Sequence, residues 1–193
     1  MVRSVEKSIK KIYNDTIIAT RLKGGVIINI GIIKRKAERE KTLIFYFEYG
    51  SYFGGACEFL IIDQGDGVCH IYAVGYNGYD LYWDFKVPIC RLKALQASVR
   101  PARKWLENYE VGNEIDDGYG WKLVYIGQGY DIKTGGYMAN PSNYFMVGKR
   151  ILKQLKKIRE STGVKKCEPL LPINGYGNAT FFVDKRKNRE MRE

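Results

Sequence analysis

"TLIFYFEYGSYFGGACEFLIIDQGDGVCHIYAVGYNGYDLYWDFKV", residues 42–87, is the stretch whose reading decides the fold. Four runs rich in β-branched and aromatic residues, 42–50, 56–63, 68–76 and 79–87, are separated by SYFGG, QGDG and an Asn-Gly pair. Glycine and asparagine supply the backbone conformations that tight turns demand, so the runs read as strands. Links this short cannot carry a parallel crossover, which makes neighbouring strands antiparallel. Along 79–87, Leu81, Trp83, Phe85 and Val87 alternate with Tyr82, Asp84 and Lys86. One face of that strand is apolar and the other polar.

Working outward toward the N-terminus, 17–23 and 26–34 are two more β-branched runs joined by Gly24-Gly25, which reads as a hairpin turn. The segment KRKAEREK, 34–41, reads as a solvated link, and Val2 to Tyr13 as a short helix with Val5, Ile9 and Ile12 on one side. On the other flank, 90–110 carries Leu92, Leu95, Val99, Ala102, Leu106 and Tyr109 at intervals of three and four. That spacing predicts a helix, or a helix pair divided at Pro101. WKLVYI, 121–126, is a further strand. PSNYFMVGKRILKQLKKIRES, 141–161, is a second amphipathic helix with Asn140 as N-cap and Pro141 as its first residue. ATFFVD, 179–184, reads as a last strand, and 185–193 as a basic, disordered tail.

The expected architecture is a single α+β domain over residues 1–184. A twisted, mainly antiparallel sheet carries two longer amphipathic helices on one face and a short N-terminal helix. A chain of 193 residues with 45% hydrophobic content can build such a core. No apolar run approaches the roughly 18–20 residues that span a bilayer, and the N-terminus lacks the apolar core of a signal peptide. The expected setting is cytoplasmic, with no membrane partner. Cys57, Cys69, Cys90 and Cys167 contain no closely spaced pair, which fits reduced thiols better than a zinc site or a disulfide framework.

Charge is the most informative total. The chain carries a formal net charge of +11, and it is unevenly spread. Residues 1–41 hold 11 Lys/Arg against 4 Asp/Glu, residues 42–148 hold 8 against 12, and residues 149–193 hold 13 against 5. Basic ends around a mildly acidic middle are what a polyanion-binding chain requires. The densest cluster is Lys149, Arg150, Lys153, Lys156, Lys157 and Arg159, continued by Lys165 and Lys166 and offset within the helix only by Glu160. Attraction of the helix C-terminus for cations accounts for one or two of these but not eight.

Catalytic sets fare less well. His70 is the only histidine and neighbours Cys69 on a strand, where adjacent side chains face opposite ways, so the two cannot form a dyad. Gly127-Gln128-Gly129-Tyr130-Asp131-Ile132-Lys133-Thr134 resembles a Walker A loop but has Ile132 at the second glycine. No helix starts at the Lys-Thr pair, so the segment reads as a connector and calls for no nucleotide cofactor. A metal-dependent nuclease would use Asp84 and Lys86 of a D-x-K strand with Asp63 or Asp66, the carboxylates holding a metal that activates water. The pattern recurs at Asp131 and Lys133 with Asp116 and Asp117 upstream, which shows how readily it arises.

The leading expectation is therefore a non-enzymatic, small basic protein that attaches to nucleic acid or a nucleoprotein complex, needing no cofactor or metal. Such a chain suits a phage or mobile-element accessory factor, of which anti-CRISPR inhibitors are one class. The alternatives are the D-x-K nuclease and a protein-interaction module whose acidic middle docks a basic partner.

Overall fold

The structure, a computed structural model, describes residues 29–51, 55–76, 81–110 and 118–163. The helix expected at 2–13, the hairpin turn at Gly24-Gly25, the strand at 179–184 and the tail at 185–193 lie outside those residues. The described fold is mixed α+β. Helix α1 (Ile30–Arg39) precedes strands β1 (Leu43–Ser51), β2 (Gly55–Gly65), β3 (Val68–Tyr76) and β4 (Tyr82–Pro88). A 3-10 turn at Ile89–Leu92, helix α2 (Lys93–Val99) and a second 3-10 turn at Arg100–Lys104 follow. Then come β5 (Asn108–Glu110), β6 (Tyr119–Gly127), β7 (Tyr130–Tyr137) and helix α3 (Tyr144–Glu160).

The strands form one seven-stranded sheet in the order β4-β3-β2-β1-β6-β7-β5. Every pairing is antiparallel except the short parallel contact of β5 with β7. Alternation along the strands divides the core in two. Phe45, Phe47 and Tyr49 of β1 join Phe59, Ile71, Trp83 and Leu123 in a cluster that also holds Leu95 and Val99 of α2 and Val147, Ile151, Leu155 and Ile158 of α3. The intervening residues Tyr46, Leu60, Val74 and Val124 form a second cluster with Ile30 and Ala37 of α1. Central strands buried from both sides explain why 42–63 is so consistently apolar. Between β2 and β3, Gly65, Asp66 and Gly67 all have positive φ, the conformation for which the QGDG link is suited.

The thiols follow burial. Cys57 and Cys69 are buried and Cys90 is exposed. Burial pushes the Cys57 thiol up to about 12 and that of Cys69 to about 11, so both are poor nucleophiles.

Four expectations are corrected. From Ile30 on, the strand expected at 26–34 and the link at 34–41 give way to α1, while the run 17–23 and residues 26–28 lie outside the described residues. Ile30, Ile33 and Ala37 recur at helical spacing against the sheet, and Lys34–Glu38 and Lys36–Glu40 pair at 3.6 and 3.9 Å. Ile30, Ile33 and Ala37 and most of the charges belong to two sides of one helix, with Ile32 exposed. The 127–134 connector is the β6–β7 hairpin, with Gly129 at φ 90° in its turn and Ile132 buried. Helix α3 starts after Asn143 rather than at Pro141. Asn140 stands four residues before the first helical residue, too far to cap it, and its side-chain amide donates to the Tyr119 hydroxyl. The region expected as a helix over 90–110 is helical only to Lys104, and 108–110 pairs with β7.

Both ends of α1 are built from side-chain and backbone bonds. The Asn29 side chain accepts from the Ile32 amide at 2.9 Å, and the exit is a Schellman motif. In it the Thr42 amide donates to the Ala37 carbonyl at 2.9 Å and the Lys41 amide to that of Glu38 at 3.4 Å. Lys41 occupies the left-handed position at φ 57°, where glycine carries no penalty. Asn29→Ala should therefore cost about 1 kcal/mol. Lys41→Gly should gain up to about 1 kcal/mol, the relieved strain being partly offset by the freedom glycine adds to the unfolded chain. Urea unfolding of the two variants checks both signs.

Candidate nucleic-acid interface

The basic helix is fixed at its start by an aromatic cluster. The Tyr144 ring packs on Trp121 of β6, centroids 4.7 Å apart, and Trp105 meets Trp121 edge-on at 5.6 Å. The Trp105 indole N–H donates to Asn143 Oδ1 at 2.7 Å, and that of Trp121 donates to the Ala139 carbonyl at 2.9 Å. Gly136 makes this possible, since a Cβ there would stand 2.6 Å from the Trp121 indole nitrogen. From this anchor α3 turns Val147, Gly148, Ile151, Leu152, Leu155 and Ile158 inward. Lys149, Arg150, Lys153, Lys156 and Lys157 are exposed.

Arg159 stands apart from the other candidates. It is half-buried, with its guanidinium 5.6 Å from the Trp83 ring centre. Lys156 is 3.8 Å from Glu160, a surface pair of small energetic weight. Lys165 and Lys166 lie outside the described residues.

A second run of cations escaped the sequence reading. Residues 89–104 contain Arg91, Lys93, Arg100, Arg103 and Lys104 and no acidic residue, and all five are exposed. Helices α2 and α3 pack against each other. Together 89–104 and 144–160 hold eleven Lys/Arg against the single acid Glu160. The other described residues hold eight Lys/Arg against ten Asp/Glu. The signal was present as an acid-free stretch, but averaging charge over 42–148 hid it behind the acids of the strands and loops.

The nuclease candidates are placed as follows. Asp84 and Lys86 are exposed on β4, opposite Tyr72 and His70 of β3. Asp84 Oδ1 is 2.5 Å from His70 Nε2, and His70 Nδ1 is 2.9 Å from the Tyr72 hydroxyl, with the two rings stacked. Asp63 is in register with Cys69 and Val87, members of the other core cluster, and its carboxylate accepts from the Gly65 amide at 2.8 Å. Asp66 sits in the β2–β3 turn. The register thus sets Asp63 and Asp84 on opposite faces of the sheet. Asp131 accepts from the Gly127 amide at 3.3 Å, inside the β6–β7 hairpin, while Asp116 and Asp117 lie outside the described residues. Among the described residues no group of three or more His, Cys, Asp or Glu is placed to hold a metal ion. No helix among them is long and apolar enough to cross a membrane.

The remaining polar cluster lies on the α1 side. The Tyr46 hydroxyl is 2.7 Å from Glu48 Oε2 and 3.0 Å from Glu58 Oε2, and the Lys34 ammonium stands 4.3 Å from the Tyr46 ring centre. One hydroxyl has one proton to donate, so both contacts are hydrogen bonds only when a carboxyl donates back. Glu58 is the acid suited to carry that proton. Burial, and next the nearby Glu48 carboxylate, raise its pKa, against the lowering effect of Tyr46, Tyr76 and Lys34. Lys122, opposite Glu48 across the strands, is itself pulled down by burial and by Lys34.

Comparison with protein-family models, with curated proteins and with solved structures finds no match to this chain.

A pH dependence follows from Glu58. Above the ordinary glutamate value of 4.5 and up to its raised folded value, the native state binds more protons than the unfolded chain. Stability therefore falls as pH rises through that window. Glu58→Gln keeps an acceptor for Tyr46 and removes the ionisation. The variant should show a flatter melting temperature between pH 4.5 and neutrality, and at neutral pH it should be at least as stable as the parent.

Proposed function

We propose that this chain is a nucleic-acid-binding protein whose contact surface is the outward side of α2, its flanking turns and α3, and that it acts by attachment rather than by chemistry. The observation that carries the reading is the segregation of charge: eleven cations against one acid in two neighbouring helical segments, beside other described residues that are slightly acidic. A surface of this kind neutralises several phosphates at once and releases their counterions, giving affinity that is strong at low salt and largely independent of sequence. Lys149 and Lys157 are eight residues apart, about 12 Å along the axis, a span over which a strand presents more than one phosphate. Helices α2 and α3 supply the binding layer and the sheet supplies its stiffness.

Lys165 and Lys166 extend the basic run and belong to the same proposal. A phosphate-rich nucleoprotein complex would present the same chemistry as free nucleic acid. In that setting the chain would act as a phage or mobile-element accessory factor of the anti-CRISPR-like kind, occupying a nucleic-acid path without cutting it.

Fluorescence anisotropy with labelled single- and double-stranded oligonucleotides tests the reading across salt from about 50 to 200 mM. Binding should fall steeply and linearly on a log–log plot. Replacing Lys149, Lys153 and Lys157 together by Gln should reduce the slope by about 2–3. Absence of binding at the lowest salt would refute the proposal.

A further inference from the structure

Beside α2 and the start of β7 lies an open hollow of about 300 Å³ lined by Lys93, Gln96, Ala97, Arg100, Arg103 and Tyr130. Its size is at the small end for ligand pockets. Three of the six lining residues are cations and none is an acid. Residues 93, 96, 97 and 100 follow the i, i+3, i+4, i+7 spacing, so they share one helical stripe. The acids Glu107 and Asp131 line the adjoining hollow, which shares Arg103, and Asp131 is already engaged by the Gly127 amide.

Arg103, like the half-buried Arg159 over Trp83, lies against an aromatic ring, but Arg103 is exposed. Its guanidinium lies 4.7 Å from the centre of the Tyr130 ring. That ring packs on Tyr125 with centroids 5.2 Å apart, and its hydroxyl donates to the Gln96 carbonyl at 3.0 Å. The first residue of β7 is thereby tied to the middle of α2. An arginine laid on a fixed ring gives up less freedom on gripping an anion than one in open solvent. Its planar fork also matches two oxygens of a phosphate.

From this geometry we infer that the hollow is a phosphate subsite that grips one backbone phosphate of the bound nucleic-acid strand. Arg103 is the preorganised donor, and Lys93 and Arg100 complete the charge. The inference rests on the nucleic-acid reading above and sharpens it. The face of α3 supplies diffuse attraction, and the hollow beside α2 supplies a fixed point of grip.

Titrating the full chain with pyrophosphate, followed by amide chemical shifts, tests it. Saturable shifts should concentrate at residues 96–103 and 130. Arg103→Gln should weaken binding about tenfold, the loss expected of a charge-assisted hydrogen bond. Tyr130→Leu, which leaves the charge untouched, should weaken it about threefold through loss of the cation–π platform. If Tyr130→Leu fails to fold, Lys93→Gln reads the same site and should also weaken binding. A mixed-sequence oligonucleotide should then displace the pyrophosphate.

Shifts that never saturate, or that are no larger at 96–103 than along 149–157, would overturn the subsite. If an oligonucleotide binds in that case, the nucleic-acid reading survives alone. Pyrophosphate that stays bound under saturating oligonucleotide would make the hollow a site for a small phosphate ligand and overturn its assignment to the strand. An oligonucleotide that does not bind at all would defeat the nucleic-acid reading itself, and with it the assignment to a strand.

Discussion

The contact between Trp121 and Tyr144, with ring centres 4.7 Å apart, is the constraint on which the arrangement of the basic surface depends. Helix α3 is too highly charged to be held by its own preferences. Lys153 stands three or four residues from each of Lys149, Arg150, Lys156 and Lys157, and like charges at that spacing oppose helix formation. Tertiary packing must overcome that repulsion. The Trp121 cluster does so at the N-terminal end, and Ile151, Leu155 and Ile158 continue it along the buried stripe. Trp105 is part of the same cluster, through its bond to Asn143. The segment that leaves α2 and the segment that enters α3 are therefore fixed to one another and to the sheet.

Eleven cations share two packed helical segments whose own sequence offers one acid, Glu160, 3.8 Å from Lys156. Under the proposed function a polyanion would add counter-charge. A ligand that binds the folded chain also stabilises it by mass action. The opposite side of the sheet has another character. There several polar groups engage one another, Asp84 with His70, Glu48 and Glu58 around Tyr46, and Lys34 over an aromatic ring, while Arg39, Lys41 and Lys86 are exposed.

The meander from β1 to β4 was legible because a period of two, punctuated by glycine turns, has few other readings. Other parts were not, for physical reasons that can be named. In α1 the β-branched pair Ile32-Ile33 imitates a strand and KRKAEREK imitates a link. Helical spacing emerges only when Ile30, Ile33 and Ala37 are taken together across that division. In β7, Gly135-Gly136 resembled a loop, yet Gly136 is required by the close approach of Trp121, a contact between strands that sequence spacing does not reveal. The start of α3 was placed at Pro141 because Asn140 has the side chain of a cap. The helix instead starts after Asn143, and the Asn140 amide donates to Tyr119, 21 residues away and beyond any local signal. The cations of α3 were readable as a run, whereas those of α2 became part of the same surface only once packing brought the two helices together.

Lysine acetylation read by mass spectrometry, with and without a mixed-sequence oligonucleotide at low salt, tests the central claim most directly. The account predicts that Lys93, Lys149, Lys153 and Lys157 are protected by the oligonucleotide while Lys36 and Lys86 react as before. Equal protection at both sets, or protection confined to Lys36 and Lys86, would contradict it.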